Sequence, residues 1–276
     1  MRLMKLGILT IGCSIMLFAC SKNNSEPEQP VVQPDTMKMI GTNWVPARAL
    51  KVKETSYTYD QVIPYKGADG KLIYDKAKSE KRNGKGYIYY DEKYKVVYVV
   101  DWPGDQATTA SQGGHRPFYF NFDTRDTVAV ADAIAGTKPW HVKHYDIYNA
   151  YMFTDAVTPA GQPGLGKIRV VRTPFDELDE ALATPMIRNT VEIEMDDFVT
   201  TDGWGTYRLS DHILRPYKDR TIIFQLKDGR YVKYQLVNLY RTNPKVVSDK
   251  YEFQAPFYNF RYHIQQTPND RNLKTR

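Results

Sequence analysis

From about residue 40 onward, apolar and polar positions alternate in short runs, the period of strands rather than helices. Phe118, Phe120 and Phe122 alternate with Tyr119 and Asn121, which predicts a strand with one apolar face. Asp123-Thr124-Arg125-Asp126 then turns it into Thr127-Val128-Ala129-Val130. Residues 221–226 and 231–240 read as two strands around Lys227-Asp228-Gly229-Arg230, where Asp-Gly predicts a tight primed turn with positive φ at both central positions. Tyr258, Phe260, Tyr262 and Ile264 form one face of a last strand. Earlier hairpins are expected where Tyr65 and Leu72-Ile73-Tyr74 flank Gly67-Ala68-Asp69-Gly70, and where residues 87–90 and 95–100 flank Asp91-Glu92-Lys93. Only residues 175–182 have helical spacing, with Phe175, Leu178 and Leu182 on one side. The Gly/Pro-rich residues 158–166 form a loop. The expected class is therefore mainly β, with antiparallel sheets and hairpins and few short helices. The 21 tyrosines agree, since aromatic and β-branched side chains suit a half-buried pleated surface.

The first residues follow another pattern. Arg2 and Lys5 precede an apolar run, residues 6–18, that is too short to span a bilayer. Leu17-Phe18-Ala19-Cys20 closes it and resembles a bacterial lipobox. Cleavage before Cys20, lipid on that cysteine and export to the outer membrane of a Gram-negative-type cell are expected, at the cell surface or on the periplasmic face. Cys13 and Cys20 are the sole cysteines, so the mature domain has no disulfide and no thiolate metal site. Residues 21–38 are rich in Asn, Ser, Glu, Pro and Gln, the composition of a disordered tether. Two of the 38 basic residues lie in the leader, leaving 36 against 32 acids, or +4 for the mature chain. The charges are scattered, so a solvated mixed surface is expected and nucleic acid is not an expected partner. The divisions anticipated are a leader (1–19), a lipidated tether (20–38), an N-terminal β extension (39–110), a β domain (111–266) and a flexible tail (267–276).

Catalytic signatures do not emerge. The chain has no Gly-x-Ser-x-Gly elbow, no phosphate loop and no His-Glu-x-x-His, and a binding protein rather than an enzyme is expected. His141 and His144 are three apart, so on a strand they point to opposite faces and cannot grip one ion. Glu192, Glu194 and Asp196 share a strand face and read as solvated acids more readily than as a calcium site.

Several landmarks follow one another in order. These are the strand from Phe118 to Phe122, the Trp140 strand with Tyr148-Asn149, and the loop Gly161-Gln162-Pro163-Gly164-Leu165-Gly166-Lys167. Phe175, Ala181-Leu182-Ala183-Thr184-Pro185-Met186 and Gly203-Trp204-Gly205-Thr206-Tyr207 follow. The hairpin through Asp228-Gly229-Arg230-Tyr231 and the strand Phe260-Arg261-Tyr262 come last. In this order, over about residues 115–264, the chain resembles the HmuY family of lipid-anchored haem-binding proteins of Bacteroidetes. The resemblance implies a hand-shaped β fold that holds haem between two loops with two axial side chains. The first axial slot falls on His144 or Tyr145, with Met152 as a further candidate, and the second falls near Met186. Trp140, Tyr148, Lys143 and Lys167 become candidate pocket residues, the lysines facing propionates. The implied role is capture of haem, free or from a haem-protein, and its delivery to a TonB-dependent outer-membrane receptor. The other function in view is a lipoprotein on the same scaffold that binds a glycan or a partner protein, with Trp44, Trp102 and Trp204 as its platform.

Overall fold

The computed structural model describes residues 36–40, 43–104, 116–145, 151–154, 166–186, 188, 190–195, 203–210, 213–242 and 256–276. The chain starts as a hairpin, β1 (Met37–Ile40) and β2 (Asn43–Pro46), and continues into the long strand β3 (Leu50–Val62). A small hairpin, β4 (Tyr65–Lys66) and β5 (Leu72–Ile73), leads to β6 (Ser79–Asp91) and β7 (Val96–Pro103). Next come β8 (Phe118–Asn121), β9 (Asp126–Val128), a short helix α1 (Val130–Ala135), β10 (Val142–Tyr145), β11 (Tyr151–Thr154) and β12 (Lys167–Val171). The remainder is β13 (Thr190–Val191), β14 (Glu194–Met195), β15 (Gly205–Arg208), β16 (Ile213–Pro216), β17 (Thr221–Gln225), β18 (Tyr231–Asn238) and β19 (Phe257–Ile264).

Two sheets carry the structure. A seven-stranded sheet has the order β12-β17-β18-β19-β7-β6-β3, and a five-stranded sheet has the order β13-β11-β10-β8-β9. All pairings in both are antiparallel. The fold is mainly β, as the alternation predicts.

The sheets face each other across one aromatic core. From the five-stranded sheet come Phe118, Phe120, Phe122, Val142 and Met152; from the larger sheet come Ile222, Phe224, Tyr234, Tyr258, Phe260 and Tyr262. Phe118 stacks on Tyr258 with ring centroids 3.8 Å apart, and Phe120 meets Phe260 edge-on at 5.2 Å. Such pairs add about 0.5–1.5 kcal/mol each beyond the burial of their surface. Period-two alternation settles what lies behind the larger sheet. Ile222 and Phe224 of β17 point into the sandwich, whereas Ile223 between them points out, into a second cluster with Leu178, Ala181, Met186 and Leu273. At the other end of that outer face, Val45 and Ala49 pack on Tyr89 and Val100.

Several expectations change here. The region before residue 110 is no appendage. β7 pairs with β19 along Phe257–His263, so β3, β6 and β7 complete the same sheet as β17–β19, and residues 35–276 form one compact unit. The tail at 267–276 is packed rather than flexible: Leu273 and Thr275 are buried, and the Leu273 amide donates to the Asp179 carbonyl at 2.8 Å. Residues 175–182 form turns and an isolated bridge from Glu180 to Asn272 instead of a helix. The helix lies instead at Val130–Ala135, closed by Gly136 in a left-handed conformation (φ 68°), with Thr137 N–H donating to the Asp132 carbonyl. In the β17–β18 hairpin, Gly229 alone has positive φ (86°), and its amide donates to the Leu226 carbonyl at 2.9 Å. That is a type I turn followed by a left-handed glycine, not a primed two-residue turn.

Asn259 fastens the halves together. It is fully buried in β19 where the register with both β18 and β7 shifts, and its Oδ1 accepts from Asn43 Nδ2 and from the Asp101 amide, both at 2.8 Å. Its Nδ2 donates to the carbonyls of Tyr240 (3.0 Å) and Phe257 (3.2 Å). Two donors and two lone pairs are all used.

Candidate functional site

β10 presents its four residues to two different environments. Val142 and His144 point into the sandwich, and Lys143 and Tyr145 point away from it. His144 is fully buried, with Nε2 3.2 Å from the Tyr234 hydroxyl and its ring against Tyr258 (4.9 Å) and Phe118 (5.9 Å). Met152 is its cross-strand partner on β11 and is equally buried, in the same core. Directly opposed residues project to the same side of a sheet.

This placement bears on the fit for haem. Axial ligands reach iron from opposite sides of a flat porphyrin. His144 and Met152 stand side by side inside a packed core, so no plane passes between them. Met186 lies in the cluster behind the larger sheet, with Ile223 and Leu178. The full thickness of that sheet separates it from His144, because Tyr234, which touches His144, belongs to the opposite face from Ile223. Tyr145 sits on the outside of the five-stranded sheet, 43% exposed. The candidate ligands thus occupy three separate places, and the described structure does not bring two of them to opposite sides of one cavity. Lys143 and Lys167 are also separated: Lys167 lies on β12, the edge strand of the other sheet. Trp140 packs edge-on against Tyr119 at 5.0 Å, beside Val128 and Ala133 of the α1 region. Tyr148 and Cys20 lie outside the described residues.

Other expectations resolve as structural features. His141 stands just before β10, where strand parity does not apply. It stacks on Phe122, and its Nδ1 accepts the Phe122 amide at 3.0 Å, so the proton resides on Nε2. Burial pushes its pKa down. Glu194 is not a solvated acid. Burial would raise its pKa, but Arg220 at 2.7 Å and the Tyr217 hydroxyl at 2.6 Å hold it below the ordinary value. Glu192 is exposed and Asp196 lies outside the described residues. Among the described residues no group of three or more His, Cys, Asp or Glu could hold a metal. Trp102 and Trp204 are buried and cannot form a platform; Trp44 is exposed.

The sequence reading missed the outer face of β10 and β11. Lys143 Nζ lies 4.6 Å from the ring centroid of Tyr145 and 4.7 Å from that of Phe153, its partner across the strands. Tyr145 and Phe153 meet edge-on at 6.2 Å, and Tyr151 is the cross-strand partner of Tyr145. Burial lowers the Lys143 pKa, and among the described residues no carboxylate pairs with it. The signal was present in Lys143-His144-Tyr145 and Tyr151-Met152-Phe153, if read by alternate positions rather than as ligand slots. The α1 region covers the neighbouring part of this sheet over Tyr119, and β10–β11 lie beyond it.

No protein-family model matches the chain, and no curated protein matches it. What the fold defines is a β-sandwich with an aromatic–lysine face. Among the described residues no helix is long and apolar enough to cross a membrane.

Proposed function

We propose that the chain is an exported, lipid-anchored binding protein without catalytic activity, and that it recognises an acidic glycan on the outer face of β10 and β11. The observation that carries this reading is the Lys143 ammonium flanked by the rings of Tyr145 and Phe153, with Tyr145 exposed. Flat aromatic faces take the apolar side of a sugar ring. An ammonium that pairs with no carboxylate among the described residues supplies the counter-charge for a carboxylate or sulfate. His144 lies within the sandwich and Met186 in the cluster behind the larger sheet, and this separation favours the glycan reading over axial ligation of haem by that pair.

Calorimetric titration of the mature chain with acidic and neutral oligosaccharides of equal length tests the proposal. Acidic chains are expected to bind at least tenfold more tightly, and Lys143→Met and Tyr145→Ala each to weaken that binding about tenfold, at 1.4 kcal/mol per decade. Equal affinity in both variants would discard the site. A haemin titration is the parallel arm. A Soret shift abolished by His144→Ala or Met186→Ala would restore the haem-capture reading, with delivery to a TonB-dependent receptor.

A further inference from the structure

We propose that the exposed face of the β1–β2 hairpin, formed by Met37, Met39 and Trp44, sits in the interfacial layer of the membrane that carries the chain. The hairpin has two unlike faces. Asn43, Val45 and Ile40 pack inward, where Asn43 bonds Asn259 and Val45 joins Tyr89 and Val100. Lys38 Nζ also turns inward, donating to the Ala49 carbonyl at 2.6 Å and lying over Tyr89 at 4.8 Å. The other face holds Met37, Met39 and Trp44, which are 40%, 60% and 57% exposed. Met39 stands directly opposite Trp44, and Met37 is two positions along the same strand, so the three form one patch rather than scattered singles.

Chain length argues for the occupant. The inference rests on lipidation at Cys20. Sixteen residues lie between Cys20 and Met37, seventeen chain steps that span at most about 60 Å. No described element is closer in sequence to that anchor. Tryptophan favours the bilayer interface, where its ring is apolar and its N–H stays wet, and methionine adapts to irregular apolar surfaces. A weak apolar contact suffices here, because the acyl chains already supply most of the affinity.

Cys20 is the sole thiol of the mature chain, which allows a clean experiment. The chain is coupled through Cys20 to a maleimide phospholipid in phosphatidylethanolamine/phosphatidylglycerol vesicles containing acyl-brominated lipid. Trp102 and Trp204 are buried but Trp140 is half-buried, so all three proteins carry Trp140→Phe and the remaining quenching should come from Trp44. It is expected to fall at least threefold in Trp44→Phe and in Met37→Ser/Met39→Ser. Quenching that is equal in all three proteins overturns the proposal. So does a concentration-dependent dimer of the uncoupled chain that Trp44→Ser abolishes, since that outcome assigns the face to a second copy. The anchor is installed chemically, so the result does not depend on lipidation in cells. The intact mass of the chain extracted from envelopes tests lipidation separately.

Discussion

Lys233 is a cation in a place that resists charge. It is fully buried on the outer face of β18, donating to the Leu178 carbonyl (2.9 Å) and Thr275 Oγ1 (2.7 Å), with Phe175 beneath it at 4.5 Å. Burial lowers its pKa to about 8, against the pull of Asp176 and Asp179 and with the push of Arg261 and Arg276. The folded value lies below the ordinary 10.5, so between those limits the unfolded chain binds more protons and stability rises with pH. Urea midpoints should therefore climb between pH 8 and 9.5, by roughly 1–2 kcal/mol. Lys233→Met should flatten that slope; an unchanged slope would show another group responsible. Asn259 gives a second test. In Asn259→Asp a carboxylate oxygen replaces the amide that serves Tyr240 and Phe257, and a loss of about 2–4 kcal/mol at pH 7 is expected in urea unfolding. At this scale the sequence showed residue types correctly and their directions poorly. His144 and Met186 are a plausible ligand pair by chemistry, but one β-sheet stands between them, and sheet membership is not encoded within either segment.

Hairpins were the most legible elements, because turn residues and flanking alternation are local. The loop before Arg230 was found at the right place, but the turn type depends on one φ. Gly229→Ala should cost about 1–2 kcal/mol, since φ is 86° and the new Cβ would meet Asn269 Oδ1 at 3.0 Å; chemical denaturation measures it. Residues 175–182 misled for a physical reason. Phe175 and Leu178 are spaced as on a helix because both are buried, yet they are buried by an irregular segment lying across the larger sheet, with the C-terminal residues on top. That tail acts as a clamp. Truncation after residue 266 should lower the urea midpoint and raise the Lys233 pKa, because Thr275 and Leu273 no longer cover it. An unchanged midpoint would return the tail to the status of a free end.

Across the whole molecule, the boundary near residue 110 had no local cause to be doubted. The pairing that abolishes it joins Val96–Pro103 to Phe257–Ile264, over 150 residues away. A fragment of residues 111–276 lacks β7 and exposes one side of β19, with Phe260 and Tyr262 in its core face. It should give no cooperative thermal transition by circular dichroism, whereas the mature chain should give one. A cooperative transition in the fragment would make the earlier strands dispensable.

On the proposed reading as an exported protein, the strand order has a consequence for crossing a membrane. β19, the last of the described strands in chain order, is the one that sits between β18 and β7 and carries Asn259. The larger sheet cannot close between β18 and β7 before β19 arrives, so the chain stays threadable until residues 257–264 have crossed. A chain stopped at residue 256 should accordingly remain open to protease along its length, and one that includes β19 should become resistant.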